Sequence, residues 1–396
     1  MERHPQSSIL IAPKRSEGGL DPRSILVRGT NWLGDAVMTT PALLRLREKF
    51  PEAHLALLTP EKLRDLWIGH PAVNETISLA PGESVFAVGK RLRAGKFDVA
   101  LVLPNSQRSA IEVWLAGIPQ RIGYARPWRG FFLTQAIGQR AEAVKMRKRS
   151  IGEIKKLVAA DVNRRTSDEN RVFASAGTAH QIHDYLHLTA ALGANPEPVA
   201  PHLFVAQDEV EAAKKKFGLD KISNPMLGLN ASAEYGGAKM WPRLSFTAAA
   251  DEIWRRTNCA WLVFGGRSET DKVIANSIAA VGNSLAANKN EMVNLAGKTS
   301  LRDLMALLKC CRVLLTNDTG PMHVAAALGT PVVAPFGSTS PELTGPGLPG
   351  DPRHRLLKSD APCSPCFLRE CPIDFRCMNG ISAGRVVEAV VAALRD

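Results

Sequence analysis

The chain has 396 residues, a length that predicts two or three domains. Apolar residues make up 45% of it and charged residues 22%, which is typical of a globular protein and excludes a disordered, collagen-like or coiled-coil chain. Basic residues outnumber acidic residues by 50 to 38, but aromatic residues reach only 6% and no nucleic-acid-binding module is recognisable, so the charge does not predict a nucleic-acid partner.

The first half of the chain begins with an irregular segment and then alternates strands with helices. Residues 1–23 are polar and lack the apolar stretch of a secretory signal, so we expect a disordered tail of a cytoplasmic protein. Strands are predicted at 25–28, 54–59 and 97–103, and a helix at 36–49. No apolar run approaches the roughly 20 residues that a membrane-spanning helix needs.

The same alternation restarts after a proline-rich run at 196–201. The predicted strands are 226–230, 261–264, 292–295, 313–316 and 332–335, and the predicted helices are 245–257, 269–281, 300–310 and 320–328. Strands that alternate with helices form parallel sheets with helices on both faces, so we predict an α/β protein with two doubly wound domains. Ligands of such folds bind beyond the carboxyl ends of the strands, and the candidate motifs follow strands.

The first candidate motif is the turn after the first strand. Gly29 and Gly34 bracket a loop that opens a helix, and Asp35 lies at or near the start of that helix. An aspartate at this place is either a helix N-cap or a general base that removes a proton from a hydroxyl. The spacing differs from the G-x-G-x-x-G fingerprint, so it gives little support to a dinucleotide site.

The second candidate motif follows the strand at 313–316. Thr319 and Gly320 are predicted to start a helix, whose first amides and positive dipole end form a site for phosphate or pyrophosphate. Asp318 is a candidate for contacting a ribose or sugar hydroxyl. His323 lies one turn into the helix, beside the phosphate position.

The third candidate motif follows the strand at 226–230 and is rich in small residues. The positive charge of Lys239 would lie against a leaving phosphate, and the Ser232 hydroxyl would act as a hydrogen-bond donor. The alternative interpretation is an ordinary flexible loop with an exposed lysine.

Together these three loops resemble glycosyltransferase family 9, the ADP-heptose:lipopolysaccharide heptosyltransferases. The resemblance runs from about residue 25 to the C-terminus. It rests on three segments in this order: Asn31-Trp-Leu-Gly-Asp35, Lys239 with Trp241-Pro242, and Asn317-Asp-Thr-Gly-Pro-Met-His323. Val102-Leu-Pro-Asn-Ser106 and Ala116-Gly-Ile-Pro119 are most similar to the heptosyltransferase II branch of the family.

The resemblance implies a GT-B fold, in which two Rossmann-like domains face a central cleft. Residues 24–205 would form the acceptor-binding domain, and residues 206–380 the domain that binds the ADP-sugar. Residues 381–396 would form a C-terminal helix that packs back on the N-terminal domain. The implied reaction is an inverting transfer of heptose from ADP-L-glycero-D-manno-heptose to the inner core of lipopolysaccharide, with no cofactor and no catalytic metal.

The resemblance assigns the chemistry to Asp35 and Lys239. Asp35 would remove the proton of the acceptor hydroxyl, while Lys239 and the helix start at Thr319 would stabilise the departing diphosphate. The donor would be held by Ser232, Lys239, Glu269, Asp318, Thr319, Gly320 and His323. The acceptor would be held by Asn31, Trp32, Asn105, Ser106 and Arg121. The acidic residue that binds hydroxyls of the donor is either Glu269 or Asp271.

A basic segment between Arg121 and Arg171 holds 13 basic and 5 acidic side chains. It is either a solvated surface or, given the resemblance, the partner of a phosphorylated acceptor built on Kdo–lipid A and of an anionic membrane. We therefore expect a protein peripheral to the cytoplasmic face of the inner membrane. Within this segment, Trp128, Phe131 and Phe132 would dip into the membrane interface or form a buried cluster.

Two other functions stay open at this point. One is another transfer within family 9, such as that of heptosyltransferase I, which uses a different acceptor. The other is a non-catalytic protein that binds a nucleotide-sugar or a nucleic acid. A binding protein needs no base opposite a phosphate site, so the combination of Asp35 with Lys239 argues against it.

The last feature of the sequence is a cluster of four cysteines, Cys363, Cys366, Cys371 and Cys377. The C-x2-C spacing at its start is a common half-site for zinc, but the later spacings are irregular. The cluster is therefore either a structural metal site or a set of reduced thiols. In both cases we expect it to have no catalytic function.

Overall fold

The structure is a computed structural model that describes residues 21–162, 176–285 and 292–395. Most of the predicted tail at 1–23, and the end of the basic segment beyond residue 162, lie outside the described residues. Within the described ranges, no helix is both long enough and apolar enough to cross a bilayer.

The first sheet has six parallel strands: β1 (Ser24–Arg28), β2 (His54–Pro60), β3 (Glu75–Leu79), β4 (Val99–Val102), β5 (Gln120–Tyr124) and β6 (Gln135–Ile137). Their order across the sheet is β3-β2-β1-β4-β5-β6, with the buried strands β1 and β4 at the centre. The helices in this part of the chain are α1 (Leu33–Met38), α2 (Thr40–Lys49), α3 (Val85–Arg93), α4 (Gln107–Leu115), α5 (Ile151–Val162), α6 (Ala176–Ala179) and α7 (Ile182–Ala190).

The second sheet also has six parallel strands: β7 (Met226–Asn230), β8 (Ala260–Phe264), β9 (Met292–Asn294), β10 (Leu314–Thr316), β11 (Val332–Phe336) and β12 (Arg355–Lys358). Their order is β12-β11-β10-β7-β8-β9. The helices in this part are α8 (Gln207–Lys216), α9 (Arg243–Thr257), α10 (Glu269–Leu285), α11 (Leu301–Cys310), α12 (Gly320–Ala327), α13 (Pro341–Thr344), α14 (Arg376–Asn379) and α15 (Ala383–Ala393).

Both sheets reverse their strand order at the centre, between β1 and β4 in the first sheet and between β7 and β10 in the second. Loops that leave the carboxyl ends of strands at such a reversal diverge and leave a crevice, which is where ligands bind in this class of fold. The three candidate motifs follow β1, β7 and β10, so they lie at these two crevices. The predicted α/β class with two doubly wound sheets is confirmed.

Local structure differs from the sequence prediction at the helix expected over 36–49. This segment forms two helices, α1 and α2, which meet at Thr39. The hydroxyls of Thr39 and Thr40 donate to the carbonyls of Ala36 and Val37 at 2.7 and 2.8 Å. Hydrogen bonds of this kind compete with the helical ladder, and they allow the chain to change direction here.

The C-terminal helix does not pack where the resemblance placed it. Helix α15 lies against α9, β11 and β12 of the second sheet. Val386 and Val390 are buried in the same apolar core as α9, and Glu388 pairs with Arg256 of α9 at 2.6 Å. The prediction that residues 381–396 pack on the N-terminal domain is therefore wrong. An apolar stripe on a helix requires a partner surface, but it does not specify which surface that is.

The two halves of the chain contact each other most extensively through α1 and α12. Two glycines permit this approach, because a Cβ on Gly320 would lie 2.8 Å from Leu33 and a Cβ on Gly34 would lie 2.8 Å from the His323 ring. The helix that carries Asp35 therefore meets the helix that follows Asp318.

Helix α7 packs on α2 of the first half of the chain, and helix α8 packs on α11 of the second half. We therefore propose that the domain boundary lies between residues 205 and 206, as predicted.

Candidate active site

Asp35 is the third residue of α1, and its side chain lines a cavity at the end of the first sheet. The N-cap of α1 is Trp32, whose side chain makes no capping hydrogen bond. Asp35 is therefore not the N-cap of this helix. Gln181, whose side-chain amide donates to the Tyr185 hydroxyl at 2.8 Å, also lines the cavity. The position of Asp35 fits a general base that faces a bound hydroxyl.

The cavity has a volume of about 280 Å³ and lies beyond β1, β4 and β5. Four of the five predicted acceptor-binding residues line it: Asn31, Trp32, Asn105 and Ser106. The amide of Asn31 is held by the Arg28 guanidinium, 3.2 Å from Oδ1. Ser106 is also the N-cap of α4, so its hydroxyl has a structural function as well.

Arg121 is the predicted acceptor residue that the structure does not bring to the cavity. Its guanidinium donates to the carbonyls of Phe132 and Ile118, and its own amide donates to the Thr134 hydroxyl. The side chain thus ties β5 to the turn before β6. The assignment of Arg121 to the acceptor has no support in this geometry.

Tyr124 and Asp184 of the cavity wall were missed by the sequence prediction, whereas Arg126 and Arg140 belong to the basic segment that it associated with the acceptor. Arg140 pairs with Asp184 at 2.9 Å, and the Tyr124 hydroxyl donates to the Asp184 carbonyl at 2.8 Å. The positive charge of the basic segment, to which both arginines belong, was the feature of the sequence that pointed to them. Their place in the wall depends on α7 packing beside β5, a contact between distant parts of the chain.

The central feature of the second sheet's edge is an ion pair between Lys239 and Asp318. Their Nζ and Oδ2 atoms are 2.6 Å apart, and the two side chains are only 13% and 4% exposed. The Thr339 hydroxyl donates to the same carboxylate oxygen. The alternative of a freely exposed lysine is wrong, because Lys239 is largely buried and faces the second candidate motif.

Asn317, which the sequence prediction left without a function, joins the loops after β7 and β10. Its Oδ1 accepts from the Trp241 amide at 2.9 Å, and its Nδ2 donates to the Ala231 carbonyl at 2.7 Å. The side chain is fully buried. These two bonds fix the position of the Lys239 loop relative to Asp318.

The start of α12 has the geometry expected for an anion site. Thr319 is the N-cap, its side chain makes no capping bond, and Gly320 opens the helix. Pro321 has no amide proton and the Met322 amide donates to the Thr319 carbonyl at 3.0 Å, so the amides of Thr319 and Gly320 are the ones that a ligand could bind. Burial lowers the pKa of His323 to about 4, so near neutral pH this side chain is uncharged and offers a ligand hydrogen bonding rather than positive charge.

The remaining predicted donor residues differ in position. Ser232 is buried beside Gly265, where the loops after β7 and β8 meet. The side chain of Glu269 is 85% exposed and pairs with Lys272, the next residue on its own helix face. Asp271 instead lies against Gly266 and accepts from the Ser268 hydroxyl at 2.7 Å. Of the two acidic candidates, the geometry therefore favours Asp271.

The charges of the two sheets meet at Asp35. Burial raises the pKa of this carboxyl to about 6, Lys239 opposes the rise, and Asp318 adds to it. A base with a pKa near the working pH is deprotonated often enough to act and basic enough to accept a proton. Burial and the charges that α12 brings near Asp35 thus give this carboxyl a pKa that fits the predicted general base.

The chain also matches a known protein family. The sequence pattern of glycosyltransferase family 9 (heptosyltransferase) matches residues 85–149 and 149–375, which include Lys239 and Asp318. The chain belongs to glycosyltransferase family 9. The resemblance seen in the sequence motifs is therefore confirmed.

Relatives of this family 9 chain include two named transferases. Lipopolysaccharide heptosyltransferase 2 of Escherichia coli is 31% identical over 338 residues, which are 81% of this chain and 85% of that protein. The protein of the same name from Salmonella typhimurium is 32% identical over 335 residues, with the same coverage. The solved structure of E. coli ADP-heptose lps heptosyltransferase II is 27% identical, with a TM-score of 0.71 over 94% of this chain and 98% of that one. The architecture is a GT-B fold.

Aromatic side chains of this family 9 protein are exposed in the loop that follows β5. Trp128 is 85% exposed and Phe131 is 79% exposed, while Phe132 is partly covered by the Trp114 ring. The alternative of a buried aromatic cluster is therefore wrong for Trp128 and Phe131. Both belong to the loop that also provides Arg126 to the cavity wall.

The basic segment is only partly a free surface. The Arg129 side chain is fully buried and donates to the carbonyls of Tyr124 and Pro104. Arg147 pairs with Glu153, and Arg149 donates to the Pro362 carbonyl. The positive charge that this segment presents to solvent is thus smaller than its composition predicts.

The four cysteines form one loop beside the second sheet. Cys363, Cys366 and Cys377 are buried, and Cys371 is partly buried and accepts from the Phe375 amide at 3.3 Å. Burial raises the pKa of Cys377 to about 12, so this thiol is neutral at physiological pH. Within the described residues, no group of three or more His, Cys, Asp or Glu side chains is arranged to hold a metal ion. The metal and free-thiol hypotheses both stay predictions.

Proposed function

We propose that the protein is an inverting heptosyltransferase that moves heptose from ADP-L-glycero-D-manno-heptose to the inner core of lipopolysaccharide, as heptosyltransferase II does. One observation carries the proposal: α1 packs against α12, which brings Asp35 close enough to the Lys239–Asp318 pair for both charges to act on its carboxyl. A base opposite a cation at an anion site is the arrangement that glycosyl transfer from a nucleoside diphosphate requires.

In the proposed reaction the acceptor hydroxyl occupies the cavity beside Asp35. Its oxygen attacks the anomeric carbon of the donor while Asp35 takes the hydroxyl proton. The bond from that carbon to the diphosphate oxygen breaks on the opposite face, so the configuration inverts and ADP leaves. Negative charge grows on the departing diphosphate, and Lys239 and the first amides of α12 stabilise it.

In the Lys239–Asp318 pair each side chain compensates the charge of the other. A buried cation without a counter-charge is costly, and Asp318 supplies that charge at 2.6 Å. The diphosphate of the donor would take over part of this function. Asp318 would then be free to accept a hydrogen bond from a donor hydroxyl.

The acceptor side of the proposal rests on the cavity wall. Arg126 and Arg140 place two guanidinium groups among the polar residues that line it. Guanidinium groups bind phosphate and carboxylate with paired hydrogen bonds, and a phosphorylated, acidic inner core on lipid A offers both groups. We therefore propose that these arginines, rather than Arg121, bind the acceptor.

We further propose that Trp128 and Phe131 hold the enzyme at the cytoplasmic face of the inner membrane while it works. Tryptophan and phenylalanine insert into the interfacial layer of a bilayer, and Lys145 and Lys148 nearby are exposed and would attract anionic lipids. Because Arg126 belongs to the same loop, this contact would bring the cavity to an acceptor anchored by acyl chains.

The function is tested by incubating the purified protein with ADP-heptose and a panel of truncated lipopolysaccharide acceptors of increasing length. We expect release of ADP and extension of an acceptor that already carries one heptose. Turnover only on an acceptor without heptose would assign a heptosyltransferase I activity. Tight binding of nucleic acid with no response to ADP would contradict the proposal.

Membrane binding is tested by sedimentation with vesicles that contain anionic lipid. Replacing Trp128 and Phe131 with serine should weaken binding several-fold, and binding by the unaltered protein should fall as salt rises. Leu244→Ser is the matched control, because Leu244 is 79% exposed on α9 of the second sheet. Equal binding by the double variant and the control would contradict the proposed surface.

A further inference from the structure

The loop that carries Lys239 is held by a neighbouring segment of the four-cysteine loop. The Ala238 amide donates to the Arg369 carbonyl at 2.8 Å, and the Gly237 amide lies 3.3 Å from a carboxylate oxygen of Glu370. The Tyr235 hydroxyl donates to the Phe367 carbonyl at 2.8 Å. Three groups of the Lys239 loop thus bind residues 366–371, which we call the clamp segment.

The Tyr235 ring connects the clamp segment to the Lys239 side chain. The Lys239 ammonium lies 4.7 Å from the centre of this ring, and the Arg369 guanidinium lies 5.3 Å from it. Both contacts have the geometry of a cation–π interaction. The ring therefore limits where the Lys239 ammonium can move, and the hydroxyl bond to Phe367 fixes the ring.

Gly236 makes this close approach possible. Its φ angle is 144°, and a Cβ at this position would lie 2.5 Å from the Arg369 carbonyl oxygen. A side chain here would strain the backbone and push the two segments apart. The contact between the Lys239 loop and the clamp segment therefore requires a glycine at position 236.

The clamp segment is itself tied to both halves of the site. The Phe367 amide donates to the Ser338 carbonyl at 2.7 Å, next to Thr339, whose hydroxyl binds Asp318. The Cys366 carbonyl accepts at 3.0 Å from the backbone amide of Arg149, which precedes α5. The segment therefore fixes the Lys239 loop relative to the Asp318 carboxylate and to the first half of the chain.

We propose that the clamp segment positions the Lys239 ammonium for the leaving diphosphate, with Tyr235, Gly236 and Arg369 as positioning residues. The inference rests on the proposed function, in which Lys239 stabilises that diphosphate. The clamp does not touch the reacting atoms. It acts by keeping the ammonium within reach of Asp318 and of the start of α12, and a displacement of about 1 Å at such a group costs ~100-fold in rate.

The test compares Gly236→Ala with Gly218→Ala. Gly218 also has a positive φ, of 68°, but a Cβ there would meet nothing within 4 Å, so this variant carries the backbone strain without the displacement. We expect kcat to fall ~100-fold in Gly236→Ala and to stay within about twofold in Gly218→Ala. Equal kcat values in the two folded variants would overturn the inference.

A second measurement follows the position of Lys239 directly. The charges that act on Asp35 are those of Lys239 and Asp318, and Lys239 lowers the pKa of Asp35. If the ammonium moves away, the acid-side midpoint of the kcat/KM profile shifts to higher pH. We expect this shift in Gly236→Ala and not in Gly218→Ala. An unchanged midpoint in Gly236→Ala would overturn the inference.

Tyr235→Leu provides the same test if Gly236→Ala does not fold. Losing the ring should lower kcat about fivefold and raise the acid-side midpoint, while Tyr235→Phe keeps the ring but loses the bond to Phe367 and should recover only part of both. Lys239→Gln separates the two proposals. Full turnover in Lys239→Gln would overturn the proposed function of Lys239, whereas a large loss there with an unaffected Tyr235→Leu would overturn only the positioning inference.

Discussion

The candidate site has two parts, one at the carboxyl ends of the strands of each sheet, and the two parts differ in how their polar side chains are bound. The first sheet's edge presents an open cavity of about 280 Å³, and Asp35 is held there with its carboxylate facing the space. At the second sheet's edge the polar groups bind one another, as the Lys239–Asp318 pair and the two bonds of Asn317 show. One edge is shaped to admit a ligand, whereas the charged side chains Lys239 and Asp318 of the other are paired with each other.

This difference indicates how each substrate is bound. A polar acceptor entering the cavity exchanges water for side-chain hydrogen bonds, with little rearrangement of the wall. If Lys239 binds the donor as proposed, the donor must compete with Asp318 for it, so its diphosphate has to provide at least as much negative charge as that carboxylate. The requirement favours a diphosphate over a neutral sugar, because a charged partner compensates a partly buried ammonium.

The largest expected effect comes from removing the base at the open edge. Asp35→Asn keeps the size of the side chain but cannot accept the proton, so kcat should fall by about 1000-fold. Asp220→Asn, on the exposed surface of the second half, is the matched control and should leave kcat unchanged. ADP release at saturating donor measures both, and near-normal transfer by Asp35→Asn would show that another group is the base.

The next prediction uses pH to link the two edges. Asp35 must be deprotonated to act and has a pKa of about 6, so kcat/KM should be level above this pH and fall about tenfold per unit below it. Asp318→Asn removes a negative charge that raises this pKa, so its profile should shift to lower pH. Lys239→Gln should shift it to higher pH. Identical midpoints in all three proteins would mean that the edges are not electrostatically coupled.

A smaller effect distinguishes two arginines of the basic segment. Arg126→Met removes a guanidinium from the cavity wall and should raise KM for a phosphorylated acceptor about tenfold, with kcat nearly unchanged. Arg121→Met removes only bonds to turn carbonyls and should leave KM for the acceptor within twofold. Initial rates at varied acceptor concentration measure both, and a reversal of the two results would restore the sequence assignment.

The smallest effect concerns the acidic residue of the β8–α10 loop. Glu269→Gln should change KM for the donor by less than about twofold, because an exposed salt bridge contributes little. Asp271→Asn should raise that KM by a larger factor, because its carboxylate lies against Gly266 inside the loop. A larger change in Glu269→Gln than in Asp271→Asn would contradict this choice.

The sequence prediction worked best where a signal was local. Buried strands such as β1, β7 and β10 are short apolar runs, and each is followed at once by a loop of glycines and polar residues. The motifs at Asp35, Lys239 and Asp318 could therefore be found without knowing the fold. Strands β3, β5, β6 and β12 were missed, because they are short or partly exposed and their residues alternate less clearly.

The prediction failed where a side chain's direction depends on distant contacts. Arg121 and Arg126 belong to the same basic segment, yet one binds carbonyls of a turn and the other faces the cavity. Charge counts give the number of such residues but not their directions. The buried Arg129 shows the same limit, because its partners are backbone carbonyls that no composition reveals.

The sequence by itself determined the α/β class, the three loops and the family, because hydrophobic periodicity and loop composition are properties of short segments. Only the tertiary structure decided which groups act together. The approach of α1 to α12 sets the pKa of Asp35, and the core beside α9 takes up α15. Both depend on the packing of segments that are far apart in the sequence, where complementary surfaces, and not local preference, select the partner.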